Sequence, residues 1–480
     1  MNVTESVAQA LQALQPFLDQ SRAAEGPVVV QPPMAALAQQ LDLRRWIEQG
    51  GLEQGGLTAF LQRYLAASTR LHHPGYMGHQ VAVPLPLGAV AALVDAASNN
   101  AMAIYEMGPA AATVEAAVIE WMLGKVGWQG APLPGEAAKI APLEGFAGGV
   151  LTHGGSLANL TAFAAARAQA APEAWQSGTP ADLVIIAPPA CHYSVSRAAC
   201  LLGLGQAALV AAPVDQDGRF APQRLVAQVE ALEGSGKRVM AVVANAGATA
   251  AGLYDPLAPI AEVCRARGLW LHVDGAHGAS ALASPRDRGL LAGVEGADSL
   301  TWDCHKMLRT PTLVAAVLVR RLSTLEGAFQ DEASYLFHDK DEPGLDLIHR
   351  TVECTKAGLG LKAFFTLASQ GEQGVAAYVE GQTDLARAAA ALLRRRPGWA
   401  VAIEPETNVL CFRWENADDA AQLAARTRLL QEGRWYISST EFRGQRWLRL
   451  ALMNPATRLD DIAALVTQLE SLFQPQLVEA

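Results

Sequence analysis

The chain is poor in charge, and what charge it has is not gathered into a basic field. Among 480 residues, 37 Lys and Arg stand against 47 Asp and Glu, a formal net charge of −10. That gives no electrostatic footprint for a nucleic-acid backbone. Cysteine is scarce as well. Cys191, Cys200, Cys264, Cys304, Cys354 and Cys411 form no C-x-x-C pair, so neither a zinc site nor a disulfide framework is indicated, and a reduced compartment is the simpler reading. No uncharged apolar stretch reaches bilayer length, because the run 85–104 is interrupted by Asp95, Asn99 and Asn100. The start, Met1-Asn-Val-Thr-Glu-Ser6, lacks the basic residues and apolar run of a signal peptide. A soluble, cytoplasmic protein with no nucleic-acid or membrane partner is expected.

Apolar residues are plentiful: 51% of the chain is hydrophobic and 18% charged, enough for a large buried core in two or three folding units. Residues 1–67 read as helices, with Val7, Leu11, Leu14 and Leu18 at helical spacing and Pro32-Pro33 as a break. This arm packs either on another subunit or on its own domain. From 152 to 320 the chain alternates short apolar strands (183–187, 207–211, 239–244, 269–274, 299–303, 313–319) with helical patterns (157–170, 194–202, 222–232, 256–267). Such alternation predicts helices around a mostly parallel sheet, with ligands at the carboxyl ends of its strands. The charged stretch 330–344 reads as an exposed mobile loop. A helical region to about 396 follows, then strands at 401–403, 409–414 and 447–452 and a helix at 459–473. The expected division is an arm (1–70), a large α/β domain (71–345) and a small α+β domain (346–480).

Two neighbouring segments carry chemistry. Leu269-Trp-Leu-His-Val-Asp-Gly-Ala-His-Gly278 ends an apolar strand on Asp274, and Ser299-Leu-Thr-Trp-Asp-Cys-His-Lys-Met-Leu308 places Lys306 just beyond the next strand. A carboxylate in an apolar sheet needs a partner. Pyridoxal phosphate (PLP) requires such a pair: a lysine amine to hold its aldehyde as a Schiff base, and a carboxylate to keep its pyridine nitrogen protonated. Asp303 and His305 are candidates to orient the lysine or the phosphate. Thr152-His-Gly-Gly-Ser-Leu-Ala-Asn159 opens a helix. Gly155 and Ser156 there offer a phosphate cradle at a helix N-terminus, although a lone Gly-Gly-Ser is also an ordinary turn. His192, after the 183–187 strand, is placed to stack on the pyridine face or merely to cap the next helix. Thr249, in Asn245-Ala-Gly-Ala-Thr249, lines the ring edge or merely serves a turn. Ala276, in the small-residue run after Asp274, joins the cofactor-binding set.

With these segments in hand, the chain resembles the group II PLP-dependent amino acid decarboxylases, the family of glutamate, cysteine sulfinate, aromatic amino acid and histidine decarboxylases. Further matches are His73-Pro74, Tyr105-Glu106, Gly252-Leu-Tyr-Asp-Pro256, Ser334-Tyr-Leu-Phe337, Pro405-Glu-Thr-Asn-Val409 and Leu448-Arg-Leu-Ala-Leu-Met-Asn-Pro455. The resemblance runs from about Leu71 almost to the end. It implies PLP fold type I, with a large, mostly parallel seven-stranded-type sheet, and a homodimer with active sites at the subunit interface. It also implies roles: Lys306 as the Schiff-base lysine, Asp274 as the pyridinium partner, His192 as the stacked residue, and Gly155 and Ser156 with His305 nearby at the phosphate. Tyr335 matches the tyrosine of the mobile catalytic loop, which protonates the substrate carbon after carbon dioxide leaves. Arg449 matches an arginine that binds a substrate carboxylate in glutamate-type members. Members with phenylalanine in place of Tyr335 can divert to oxidative aldehyde formation, so its presence favours simple decarboxylation.

The chain departs from the pattern in places. Asp303-Cys304 stands where many members have Asn-Pro, and Asp-x-His-Lys also resembles the carbon–carbon lyase that cleaves sphingosine phosphate. His277 and Asn245 replace a usual aromatic and a usual threonine. His79 and Val81 stand where glutamate decarboxylases carry polar groups for the distal carboxylate. The 405–408 and 454–455 matches lean toward the glutamate and sulfinate branch. Decarboxylation of an acidic L-amino acid (glutamate, aspartate or cysteine sulfinate) is therefore the expectation. An aromatic amino acid decarboxylase, a carbon–carbon lyase and a non-catalytic paralogue are the alternatives.

Overall fold

A computed structural model of the chain describes residues 2–134, 145–330 and 344–473. Two compact units result, Pro84–Gly381 and a second made of the two terminal segments, up to Val83 and from Gln382.

The first unit is built on seven strands: β1 (Gly148–Thr152), β2 (Leu183–Ala187), β3 (Leu209–Ala211), β4 (Arg238–Asn245), β5 (Trp270–Asp274), β6 (Ser299–Asp303) and β7 (Ala315–Val319). Their order is β1-β7-β6-β5-β4-β2-β3. Neighbours from β6 through β3 run parallel, and β7 is antiparallel to both β6 and β1. Ile185, Val242, Leu271 and Leu300 are wholly buried, as strands covered on both faces by helices require. The mostly parallel sheet matches the sequence expectation.

One strand of this sheet escaped the pattern. β1 opens on Gly148-Gly149, residues that argue against a strand. A side chain at Gly149 would put its first carbon 2.5 Å from the Val317 carbonyl oxygen, so only glycine lets β1 lie this close to β7.

The second unit has a four-stranded antiparallel sheet, β8 (Trp399–Val401), β9 (Val409–Trp414), β10 (Ser438–Phe442) and β11 (Gln445–Ala451), in the order β10-β11-β9-β8. Leu410, Phe412, Leu448 and Leu450 share a core with Ile462, Leu465, Val466 and Leu469 of the helix Leu459–Phe473. The terminal arm belongs to this unit. Its helix Val3–Arg22 starts on an Asn2–Glu5 capping box. Arg70 lies 4.6 Å over Phe17 and donates to the Phe17 carbonyl at 3.1 Å. Val28 N–H bonds the Gly433 carbonyl at 2.7 Å, and Met77 N–H bonds that of Tyr436 at 2.9 Å. Such long-range backbone pairs leave no trace in hydrophobic periodicity. No helix among the described residues is long and apolar enough to cross a membrane. Most of the charged stretch, with Tyr335 in it, lies outside the described residues.

Candidate active site

Lys306 sits on the turn after β6. Its Nζ lies 2.9 Å from Asp303 Oδ2, and the Asp303 side chain is buried. The other oxygen, Asp303 Oδ1, is buried with no hydrogen-bond partner. His305 Nδ1 donates to the Val314 carbonyl at 2.9 Å, which leaves Nε2 as the open nitrogen, 3.7 Å from Asp303 Oδ2.

Asp274 ends β5, the neighbouring parallel strand. Its Oδ1 accepts the Ala276 N–H at 3.2 Å, and its Oδ2 accepts from Asn159 Nδ2 at 3.1 Å. His192 caps the helix Tyr193–Leu201, its Nδ1 2.7 Å from Ser194 Oγ. Burial pushes the His192 pKa down, with Asp274 pulling the other way. Gly154, at φ 99°, turns the chain from β1 into the helix Gly155–Ala170. That N-terminus carries no side-chain cap, and Gly154, Gly155 and Ser156 bring the favourable end of its dipole to the cavity lining. A Cβ on Gly155 would come 2.7 Å from Asp303 Oδ1.

These elements enclose a cavity of about 320 Å³. Gly155, Ser156, His192, Thr249, Asp274, Ala276, His305 and Lys306 all line it, together with Asn159, Ser194 and Asp303. Strand alternation explains the convergence: each residue lies just past the carboxyl end of a strand or at the helix start beside it. His79 and Arg449 lie in the other unit. Arg449 is buried on β11, donating to the Gly78 carbonyl and Ser438 Oγ, both at 3.2 Å. The His79 ring is 5.4 Å from Tyr436, and its pKa is lowered by burial first and then by Arg449 and Arg426. Tyr335 is among the residues not described.

Sequence reasoning missed the functional placement of Asn159 and Ser194. The one available signal was a polar residue inside an alanine-rich helix face that packs on the sheet, where Ala158, Ala162 and Ala165 are wholly buried.

An amine, a buried carboxylate, an imidazole and an uncapped helix N-terminus around one cavity fit PLP by the chemistry of their donors and acceptors. A sheet of this order, with those groups past its strand ends, defines a fold type I PLP enzyme. Residues 72–415 match the family model "Pyridoxal-dependent decarboxylase conserved domain", and the chain belongs to that family. It is a PLP-dependent amino acid decarboxylase. Human cysteine sulfinic acid decarboxylase is 29% identical over 459 residues, 91% of this chain and 89% of that protein. Acidic amino acid decarboxylase GADL1 of Mus musculus is 29% identical over 464 residues, 92% and 80% of the two chains. L-2,4-diaminobutyrate decarboxylase of Rhizobium meliloti is 30% identical over 398 residues, 81% of this chain and 75% of that one. The crystal structure of mouse CSAD superposes with a TM-score of 0.87 at 27% identity, covering 98% and 99% of the two chains.

Proposed function

We propose that the enzyme decarboxylates an acidic L-amino acid, of the cysteine sulfinate, aspartate or glutamate type, to its amine. The observation that carries the chemistry is the Lys306 amine and the Asp274 carboxylate facing one cavity from adjacent parallel strands. When bound, PLP supplies an electron sink for the pair left behind by the departing carboxylate. Lys306 would hold the cofactor aldehyde, with Asp303 beside its amine as the counter-ion. Asp274 holds a proton on the pyridine nitrogen, and His192 packs on the ring. Ser156, the N–H groups at Gly155 and Ser156, and His305 hold the phosphate, while Thr249 and Ala276 border the ring. Tyr335 delivers a proton to the substrate Cα. Arg449 and His79 bind the distal acid group. The names of the cysteine sulfinic acid and acidic amino acid decarboxylases support the acidic class. The diaminobutyrate decarboxylase relative supports a second reading, a basic side chain.

A homodimer in the cytoplasm completes the reading. The helix Pro86–Ser98 exposes Leu87, Val90, Leu93 and Val94, each at least 41% accessible, an apolar face that a second copy would cover. The test is product formation from a panel of L-amino acids with PLP added, quantifying carbon dioxide and amine. The panel holds glutamate, aspartate, cysteine sulfinate, tyrosine, tryptophan, histidine and 2,4-diaminobutyrate. Matched yields from an acidic member are expected. Turnover confined to diaminobutyrate or to an aromatic substrate would overturn the acidic assignment.

A further inference from the structure

From the cavity lining inward runs a chain of buried hydrogen bonds with a defined direction. Asn159 Nδ2 lies 3.1 Å from Asp274 Oδ2 and 2.9 Å from Ser194 Oγ. Asn159 Oδ1 lies 2.6 Å from Thr301 Oγ1 and 3.1 Å from His272 Nε2. His272 Nδ1 is 2.8 Å from Ser299 Oγ, which is also 2.8 Å from Trp270 Nε1. Asn159, Ser194, His272, Ser299 and Thr301 are all at most 1% exposed.

A carboxylate only accepts and an indole N–H only donates, so the two ends fix every bond between them. Facing Asp274, the Asn159 amide must present its NH2, and its oxygen then faces His272 and Thr301. His272 therefore carries its proton on Nε2 and accepts the Ser299 hydroxyl at Nδ1, while Ser299 accepts from Trp270. Burial pushes the His272 pKa down to about 4, opposed by Asp274, in keeping with a neutral ring. On the other branch the second amide hydrogen of Asn159 occupies Ser194 Oγ. The Ser194 hydroxyl is then directed to His192 Nδ1 at 2.7 Å, where the Ser194 N–H also points at 3.3 Å. With two donors on Nδ1, neutral His192 keeps its proton on Nε2.

We infer that Asn159 is a positioning residue that sets two groups at once, orienting the Asp274 carboxylate and, through Ser194, holding His192 as the Nε2–H tautomer. This rests on the roles proposed above for Asp274 and His192. It adds that both are governed by one buried amide. Asn159→Asp would put a second acceptor against Asp274, so the amide is required as well as the shape.

The test is 15N NMR of the holoenzyme with ring-labelled histidine, His192 being assigned by its loss in His192→Gln. The wild type should show Nε2–H at His192. Ser194→Ala should convert that signal to a mixture of tautomers. Asn159→Ala should do the same and also weaken cofactor binding about 10- to 100-fold, as expected when a hydrogen bond to a charged group is lost. It should lower kcat with little change in KM. Should Asn159→Ala fail to fold, Thr301→Val, which removes one donor from the amide oxygen, should shift the tautomer ratio in the same direction. An Nδ1–H signal in the wild type, or a tautomer unmoved in Ser194→Ala, would overturn the inference. A merely structural Asn159 would lower thermal stability and leave the tautomer alone. The tautomer is also read in the cofactor-free protein, so an error in the cofactor roles would show separately, as an unaltered cofactor absorption band in Lys306→Ala.

Discussion

Replacing Lys356 by methionine keeps the side-chain bulk and removes a charge from one of the most buried ion pairs in the first unit. Lys356 Nζ lies 2.5 and 2.7 Å from the two oxygens of Glu115 and 2.5 Å from the Leu151 carbonyl, with the two side chains 0% and 1% exposed. Glu115 in turn accepts the Leu151 N–H at 3.0 Å. In Lys356→Met the carboxylate keeps that one donor and loses its counter-ion. Breaking one side of a buried pair costs about 3–5 kcal/mol, a large part of the roughly 5–15 kcal/mol that holds a domain folded. Adding Glu115→Gln removes the stranded charge and keeps an acceptor for Leu151. The double variant is thus expected to be destabilised by about 1–3 kcal/mol less than the sum of the two single losses. Urea unfolding of the four proteins, saturated with PLP, measures this. Because β1 runs from Leu151 directly into the Gly154–Gly155 turn, cofactor affinity should fall in the single variant and recover in the double. A single loss below about 1 kcal/mol, or strict additivity, would refute the argument.

Gly155→Ala is expected to push Asp303 off Lys306, since the new carbon would stand 2.7 Å from Oδ1 and 3.0 Å from Oδ2. A stability loss of about 1–3 kcal/mol and weaker PLP binding by titration should follow. Tyr335→Phe should keep carbon dioxide release and shift the product from amine toward aldehyde, with oxygen uptake measured at an electrode. Stability should fall on the acid side through His272: unfolded, it takes a proton near pH 6.5, but folded, burial holds it off until about 4. The unfolded chain therefore binds more protons across that window, and stability drops as pH falls from about 6.5 to about 4, by roughly 3 kcal/mol in full. His272→Gln should flatten that limb in pH-dependent urea midpoints.

Much of the large unit was legible because its strands are buried on both faces and so read as short unbroken apolar runs. Residues 183–187 and 299–303 coincide with β2 and β6. β1 was not legible, because what permits it is the absence of side chains at Gly148 and Gly149, which periodicity scores as a turn. The cavity-lining residues could be located by rule, each following a strand. Their supporting contacts could not. Asn159 and Asp274 are 115 positions apart, and Ser194 reaches Asn159 only because the helices Tyr193–Leu201 and Gly155–Ala170 pack against each other. The placement of the arm depended on backbone pairs such as Val28 with Gly433, which no composition records.

The departure from the family pattern at Asp303 acts on the lysine rather than on the substrate. An amide there would offer Lys306 an uncharged oxygen and turn its NH2 toward Gly155. The carboxylate instead gives the Lys306 ammonium a full counter-charge at 2.9 Å, in a site whose other buried carboxylate, Asp274, is held by Asn159 and the Ala276 N–H. The two acids are therefore set apart in their partners, one on the amine that must come and go, one on a fixed amide network. Recognition of the substrate side chain falls to different residues in the proposed scheme. His79 and Arg449 belong to the second unit, where Arg449 is buried against Gly78 and Ser438. In that scheme the residues proposed to hold the cofactor belong to the first unit and those proposed to meet the substrate side chain to the second.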